Sequence, residues 1–255
     1  MHGSCLCGAV AFEVDAPIRD GIACHCTQCR KMSGHYWVAS SVPLERFRLI
    51  RDDGLAWYSA SDQARRGFCR HCGAFVLWEP AGEGRMVFAL GAIDGPSGVS
   101  ISKHIYTEDA GDYYAPDGPP PDPRDAPPHL HAACHCGGVA FTLPRPAGAI
   151  GACHCTQCRK LSGHYSASFD ANERALTYET RETLAEYETP AGARRGFCAR
   201  CGSSLWFRAA DGGFSVEAGA VDGPTGLTLD SHIFIADKGD YYAPDDGLPQ
   251  FTAWD

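Results

Sequence analysis

The chain carries seven cysteines and then carries them again. Cys5, Cys7, Cys24, Cys26, Cys29, Cys69 and Cys72 recur as Cys134, Cys136, Cys153, Cys155, Cys158, Cys198 and Cys201, each 129 residues on. The stretch CHCTQCRK at Cys24–Lys31 returns letter for letter at Cys153–Lys160, and RRGFC at Arg65–Cys69 returns at Arg194–Cys198. Later matches are 128 residues apart: GAIDGP from Gly91 returns as GAVDGP from Gly219, and GDYYAPD from Gly111 returns from Gly239. One deletion between Cys201 and Gly219 accounts for the change. This is a tandem duplication, so the fold must be built twice.

Between the copies lies PDGPPPDPRDAPPHLH, residues 116–131. Proline at this density neither continues a helix nor donates to a sheet, so the segment reads as a stiff, extended linker. Two separate domains are expected, residues 1–117 and 131–255, joined by residues 118–130. Within a copy, Ala9–Val14, Tyr36–Val42, Leu55–Ala60, Ala74–Pro80, Arg85–Ile93 and Val99–Tyr106 are short, rich in β-branched or aromatic residues, and bounded by Gly, Pro or Asp. They read as strands. Helical winding is expected only briefly, after Cys26. Each half is therefore an all-β domain with a modest core, in need of staples.

The fourteen cysteines supply them. No apolar run approaches the ~18 residues of a membrane helix, and the N-terminus lacks the basic lead and apolar stretch of a signal peptide. The cytoplasm is the default location, and thiols stay reduced there. Close C-x-C and C-x-x-C spacings then point to metal, with disulfides as the alternative. The formal charge of −9 argues against nucleic acid as a partner. Fourteen thiolates holding four divalent cations would take it to about −15.

Seven ligands divide as four plus three. Structural zinc takes four, whereas catalytic zinc takes three from the protein and leaves one position open. The two-cysteine clusters combine as Cys5, Cys7, Cys69 and Cys72, leaving Cys24, Cys26 and Cys29 as a set of three; the second copy repeats both sets. A histidine can also close the smaller set, and His25, His35 and His104 recur as His154, His164 and His232. Spacing alone leaves open and closed forms both standing. An open three-thiolate zinc is a weak maker of hydroxide but binds an incoming thiol and strips its proton. Held beside a carbonyl, that sulfur is placed for carbon–sulfur bond formation. Arg30, Lys31, Arg65 and Arg66, repeated as Arg159, Lys160, Arg194 and Arg195, stand next to the clusters and suit an anionic thiol; ordinary solvated surface charge is the alternative.

The succession C-x-C-G, C-H-C-x-x-C-R and G-F-C-x-x-C-G, present in both halves, resembles the glutathione-dependent formaldehyde-activating family, which shares its domain with the centromere protein V group. The resemblance covers nearly the whole chain. It implies two tandem Mss4-like zinc-binding domains of coiled β-sheets, with two zincs per domain and four per chain. It also implies structural zinc on Cys5, Cys7, Cys69, Cys72 and on Cys134, Cys136, Cys198, Cys201. Catalytic zinc is implied on Cys24, Cys26, Cys29 and on Cys153, Cys155, Cys158. The family's named reaction joins glutathione to formaldehyde, giving S-hydroxymethylglutathione. The expected function is a carbon–sulfur lyase or ligase acting on a glutathione-like thiol and a small aldehyde, with no membrane partner. A non-catalytic zinc module that binds a protein, and a metal or redox sensor, are the competing readings. The copies differ around the expected pocket: Trp37 aligns with Ser166, Met32 with Leu161 and Lys103 with Ser231.

Overall fold

The computed structural model describes residues 1–253. Among them are twenty strands and two short helices, α1 (Thr27–Ser33) and α2 (Thr156–Ser162). The first copy sets His2–Ser4, Ala11–Val14 and Phe47–Arg51 side by side in a small sheet. Its larger sheet has seven strands, in the order Ile101–Ile105, Gly21–Cys24, Trp37–Pro43, Arg85–Ala89, Phe75–Pro80, Ala64–Cys69 and Leu55–Ser61. The second copy repeats both sheets, with Ile101–Ile105 answered by Leu229–Ile233 and Leu55–Ser61 by Leu184–Glu188. One pair per copy runs parallel, Ile101–Ile105 beside Gly21–Cys24 and Leu229–Ile233 beside Ile150–Cys153.

The six expected strands are present, most of them trimmed at an end. Arg85–Ile93 divides, with a strand to Ala89 and a 3-10 turn over Leu90–Ala92. The deletion falls at a hairpin turn: Trp78 pairs with Val87, whereas Phe207 pairs with Ser215. No helix among the described residues is long and apolar enough to cross a membrane.

The linker is only a small part of what joins the copies. Residues 116–127 hold neither strand nor helix, and the second copy's first strand begins at His129, inside the expected linker. Beyond that, one contiguous apolar core takes residues from both halves, Phe12 and Phe88 with Phe141 and Trp206 among them. Backbone bonds cross the seam in matched pairs. Gly91 N donates to Gly163 O at 2.9 Å and Gly219 N to Gly34 O at 2.8 Å; Ile101 N donates to Tyr241 O and Leu229 N to Tyr113 O. The tail of each copy is clasped by the other. Asp240 accepts from Ser97 N at 2.8 Å and Ser97 Oγ at 2.7 Å, and Asp112 accepts from Thr225 N at 2.9 Å.

Gly34 and Gly163 show why the helices end where they do. Each caps its helix with positive φ, 86° and 82°. Each also lies against the other copy, so a Cβ at Gly163 would sit 2.4 Å from Trp37 Nε1 and one at Gly34 would sit 2.9 Å from Glu217 Oε2. Only glycine meets both demands.

The two sides of the seam are not copies of each other. On one, Trp37 stacks on Phe75 with ring centroids 4.3 Å apart. On the other, Ser166 and Ser204 stand in their places, and Glu217, where the first copy has Ala89, is 1% exposed. Ser166 Oγ donates to Glu217 Oε2 at 2.7 Å, and burial pushes the Glu217 carboxyl up to about 8.

At the centre of the seam, buried imidazoles interleave with tyrosines. His164 Nε2 lies 2.8 Å from Tyr36 Oη across the seam, while His35 Nδ1 lies 2.8 Å from Tyr113 Oη. Burial first, and neighbouring imidazoles second, hold His35 and His164 well below the ordinary value of 6.5. A histidine whose folded-state pKa is depressed stabilises the fold fully above its unfolded value, and that contribution is lost as pH falls below it. Stability is therefore expected to drop below about pH 6.5, by up to about 1.4 kcal/mol per imidazole for each pH unit. Urea midpoints at pH 7.5 and 5.5 check this: the gap between them narrows in His164→Asn, whereas an unchanged gap places the acid sensitivity elsewhere.

Candidate metal centres

Four groups of sulfurs converge, each with all its ligand atoms within 4.8 Å of one another: Cys5, Cys7, Cys69, Cys72; Cys134, Cys136, Cys198, Cys201; Cys24, Cys26, Cys29; and Cys153, Cys155, Cys158. All fourteen thiols are free of disulfides. In the four-sulfur groups Cys5 Sγ lies 3.7 Å from Cys7 Sγ, which lies 3.6 Å from Cys69 Sγ; the second copy repeats both distances. A tetrahedron with zinc–sulfur bonds of about 2.3 Å has edges of about 3.8 Å, so the donor set fits zinc in identity and size. Backbone N–H groups are aimed at the sulfurs, Val10 N at Cys5 Sγ and Val139 N at Cys134 Sγ, both at 3.2 Å. Such donors favour the thiolate form.

The three-sulfur groups are assembled from a strand end and the first turn of a helix. Cys24 and Cys26 lie at and just after the end of Gly21–Cys24, and Cys29 sits in α1. Cys26 also caps that helix, its Sγ accepting from Cys29 N at 3.5 Å, and Cys155 caps α2 in the same way. Sulfurs this close compete for charge. The Cys24 thiol, hydrogen-bonded to Cys26, is pushed up, while Cys26, accepting from Cys24 and Cys29, is drawn down. A divalent cation removes that competition.

Among the described residues no histidine or carboxylate belongs to the three-sulfur groups. The histidines that sequence offered as a fourth ligand are engaged elsewhere. His25 sits between two cysteines, but strand alternation turns its ring to the opposite face. There Nδ1 lies 2.6 Å from Tyr114 Oη and Nε2 lies 2.9 Å from His104 Nδ1. His154 repeats this with Tyr242 and His232.

The eight cations divide. Arg30 and Lys31, expected beside the thiol, reach instead into the other copy. Arg30 Nη1 donates to Val221 O at 2.8 Å, and Lys31 Nζ donates to Ala133 O and pairs with Asp222, both at 2.7 Å. Arg159 likewise donates to Gly91 O at 2.8 Å and Lys160 pairs with Asp94 at 2.5 Å. From the last turn of each helix the two arginines reach a carbonyl of the other copy's 3-10 turn, Arg30 that of Gly219 and Arg159 that of Gly91. Arg65 and Arg194 are surface residues, paired with Glu79 and with Glu188. Because side chains alternate along a strand, Arg66 and Arg195 face inward. They are 9% and 5% exposed. Arg195 Nη2 donates to Cys158 Sγ at 3.5 Å, and the Arg66 charge helps to draw down Cys26.

The family model described as "Glutathione-dependent formaldehyde-activating enzyme" matches residues 1–109 and again residues 129–237. The chain belongs to the glutathione-dependent formaldehyde-activating family. The two matches bracket both sets of sulfurs, so each copy is a family member in its own right. A protein of Schizosaccharomyces pombe named as an uncharacterized lyase is 26% identical over 117 residues, which are 45% of this chain and 85% of that protein. A solved Rhodobacter sphaeroides protein is 25% identical, with a TM-score of 0.35, over 41% of this chain and 99% of that one.

Sequence reasoning missed the histidine–tyrosine seam and the Ser166–Glu217 pair. The first lies in residues scattered between positions 25 and 242, with no local pattern. The second had a signal, since both are places where the copies differ.

Proposed function

We propose that the chain is a zinc-dependent carbon–sulfur lyase that reversibly joins a glutathione-like thiol to a small aldehyde, with formaldehyde and S-hydroxymethylglutathione as the family's example. It would act through two family copies, residues 1–117 and 131–255, joined by residues 118–130. The observation that carries this reading is the pair of three-sulfur groups with no fourth protein ligand among the described residues, each beside a buried arginine. Family membership and the relative named as a lyase support it.

Zinc held there supplies an attachment point for an incoming sulfur and favours its thiolate form. Cys24, Cys26 and Cys29, with Cys153, Cys155 and Cys158, form the grip. Two of each set are held in register by one helical turn, and the N–H of Cys29 or Cys158 fixes the middle sulfur. Arg66 and Arg195 supply a fixed positive charge that balances the thiolates and draws an anionic thiol. In the forward reaction the substrate sulfur attacks the carbonyl carbon. A sulfur–carbon bond forms, the carbonyl π pair moves to oxygen, and the proton from sulfur ends on that oxygen. The reverse reaction returns thiol and aldehyde. Holding both reactants in contact range is the main contribution the protein makes to rate.

Cobalt substitution tests the reading. Cobalt at four sites per chain is expected, and glutathione should change the visible spectrum of the two three-sulfur sites. A spectrum and melting temperature that both ignore glutathione would favour a non-catalytic zinc module.

A further inference from the structure

The Cys24–Cys29 group lies close to the opposite copy's four-cysteine group: Cys26 acts on His135, and Lys31, two residues past Cys29, lies in the field of Cys134. Tyr58 of the first copy lies in the field of Cys134, Cys136 and Cys201, and its equivalent Tyr187 lies in the field of Cys5, Cys7, Cys69 and Cys72. The helices complete the approach, since Lys31 of α1 reaches Ala133 O and Lys160 of α2 reaches Ser4 Oγ, each next to the facing C-x-C motif. The residue between the two cysteines of the second copy's motif therefore stands against the first copy's site, and the repeat gives the first copy's motif the equivalent position. It is His135 in the second copy and Leu6 in the first.

His135 is held for contact. Its backbone N donates to Ser203 Oγ at 3.0 Å, its Nδ1 lies 3.0 Å from Tyr58 Oη, and the two rings meet edge-on. The charged groups acting on the ring are Arg66, Lys31 and Cys26, all of the first copy. Assigning the Tyr58 phenol, the more acidic partner, as the donor to Nδ1 puts the ring hydrogen on Nε2, which has no hydrogen bond among the described residues. The side chain is half-buried, so this N–H remains available beside the first copy's Arg66, Lys31 and Cys26. Leu6, also half-buried, packs against the core and offers only carbon.

We propose that His135 is a specificity-determining residue of the first copy's three-cysteine site, donating a hydrogen bond to an oxygen of the bound thiol, and that the second copy's site, faced by Leu6, accepts an apolar substituent there. One chain would then present two sites of different taste. The inference rests on the reading of the three-cysteine groups as thiol–aldehyde sites.

Single-site proteins separate the two ideas. Cys158→Ser leaves the first site and Cys29→Ser leaves the second. In the Cys158→Ser background, His135→Leu is expected to weaken glutathione binding, by calorimetry, about fivefold to tenfold, the worth of one hydrogen bond. KM for glutathione should rise in step while kcat holds, and His135→Asn, which keeps a donor, should recover part of the loss. In the Cys29→Ser background, Leu6→His should tighten glutathione binding; this arm stands even where His135→Leu folds poorly. Unchanged affinity in both arms, with turnover intact, overturns the role of His135 alone. If neither single-site protein binds thiol, the thiol–aldehyde reading falls and takes this inference with it.

Discussion

Replacing Cys29 and Cys158 together by serine is expected to bring thiol–aldehyde turnover down to the uncatalysed rate, a loss of at least about 100-fold, while the fold stands. A serine hydroxyl stays protonated near neutral pH and is a poor zinc ligand, so each three-sulfur group is reduced to two. Metal content should fall from four ions per chain to two, read by atomic absorption. The fold survives because the four-sulfur groups are untouched and the cap sulfurs on α1 and α2 belong to Cys26 and Cys155. Either single substitution should remove only the share of turnover that its copy carries. A double variant with full turnover and two metals would leave the three-sulfur groups without a part in the reaction.

The second large effect is on stability. Cys72 is fully buried within a four-sulfur group. Structural zinc contributes about 10–16 kcal/mol to small domains that fold around it, against a net stability of about 5–15 kcal/mol for a whole domain. Cys72→Ser is therefore expected to lower the melting temperature by more than about 10 °C. The shared core adds a sharper expectation: both copies should melt together, in one transition, although only the first has lost a ligand. A second transition persisting at the parent temperature would show that the copies are thermodynamically independent. A melting curve identical to the parent would remove the structural role from this group.

Much of this was legible in the sequence because metal ligation is local and discrete. The offset between Cys5 and Cys134 pairs the copies unaided, and the partition into four and three follows from a coordination number. The six strands of Ala9–Val14 through Val99–Tyr106 were legible because turn residues bound them. Gly21–Cys24 was not, because it is only four residues long and ends in a ligand. Ala64–Cys69 was hidden by its two arginines, whose opposite faces only a strand assignment could separate. The seam was illegible for a deeper reason. Arg30 and Lys31 look like substrate cations when their nearest neighbours in sequence are ligands. Their true partners, Val221 and Asp222, are about 190 residues away along the chain, and no spacing rule connects the two.

The mismatch between Trp37 on Phe75 and Ser166 on Glu217 has an evolutionary consequence. In a symmetric dimer of separate chains, every substitution arrives on both sides of the axis at once, so a buried carboxyl must be accommodated twice. Fusing the two subunits into one polypeptide lifts that restriction. Each face can then be remodelled alone, and a chain built from twins is free to become a heterodimer with a permanent one-to-one stoichiometry.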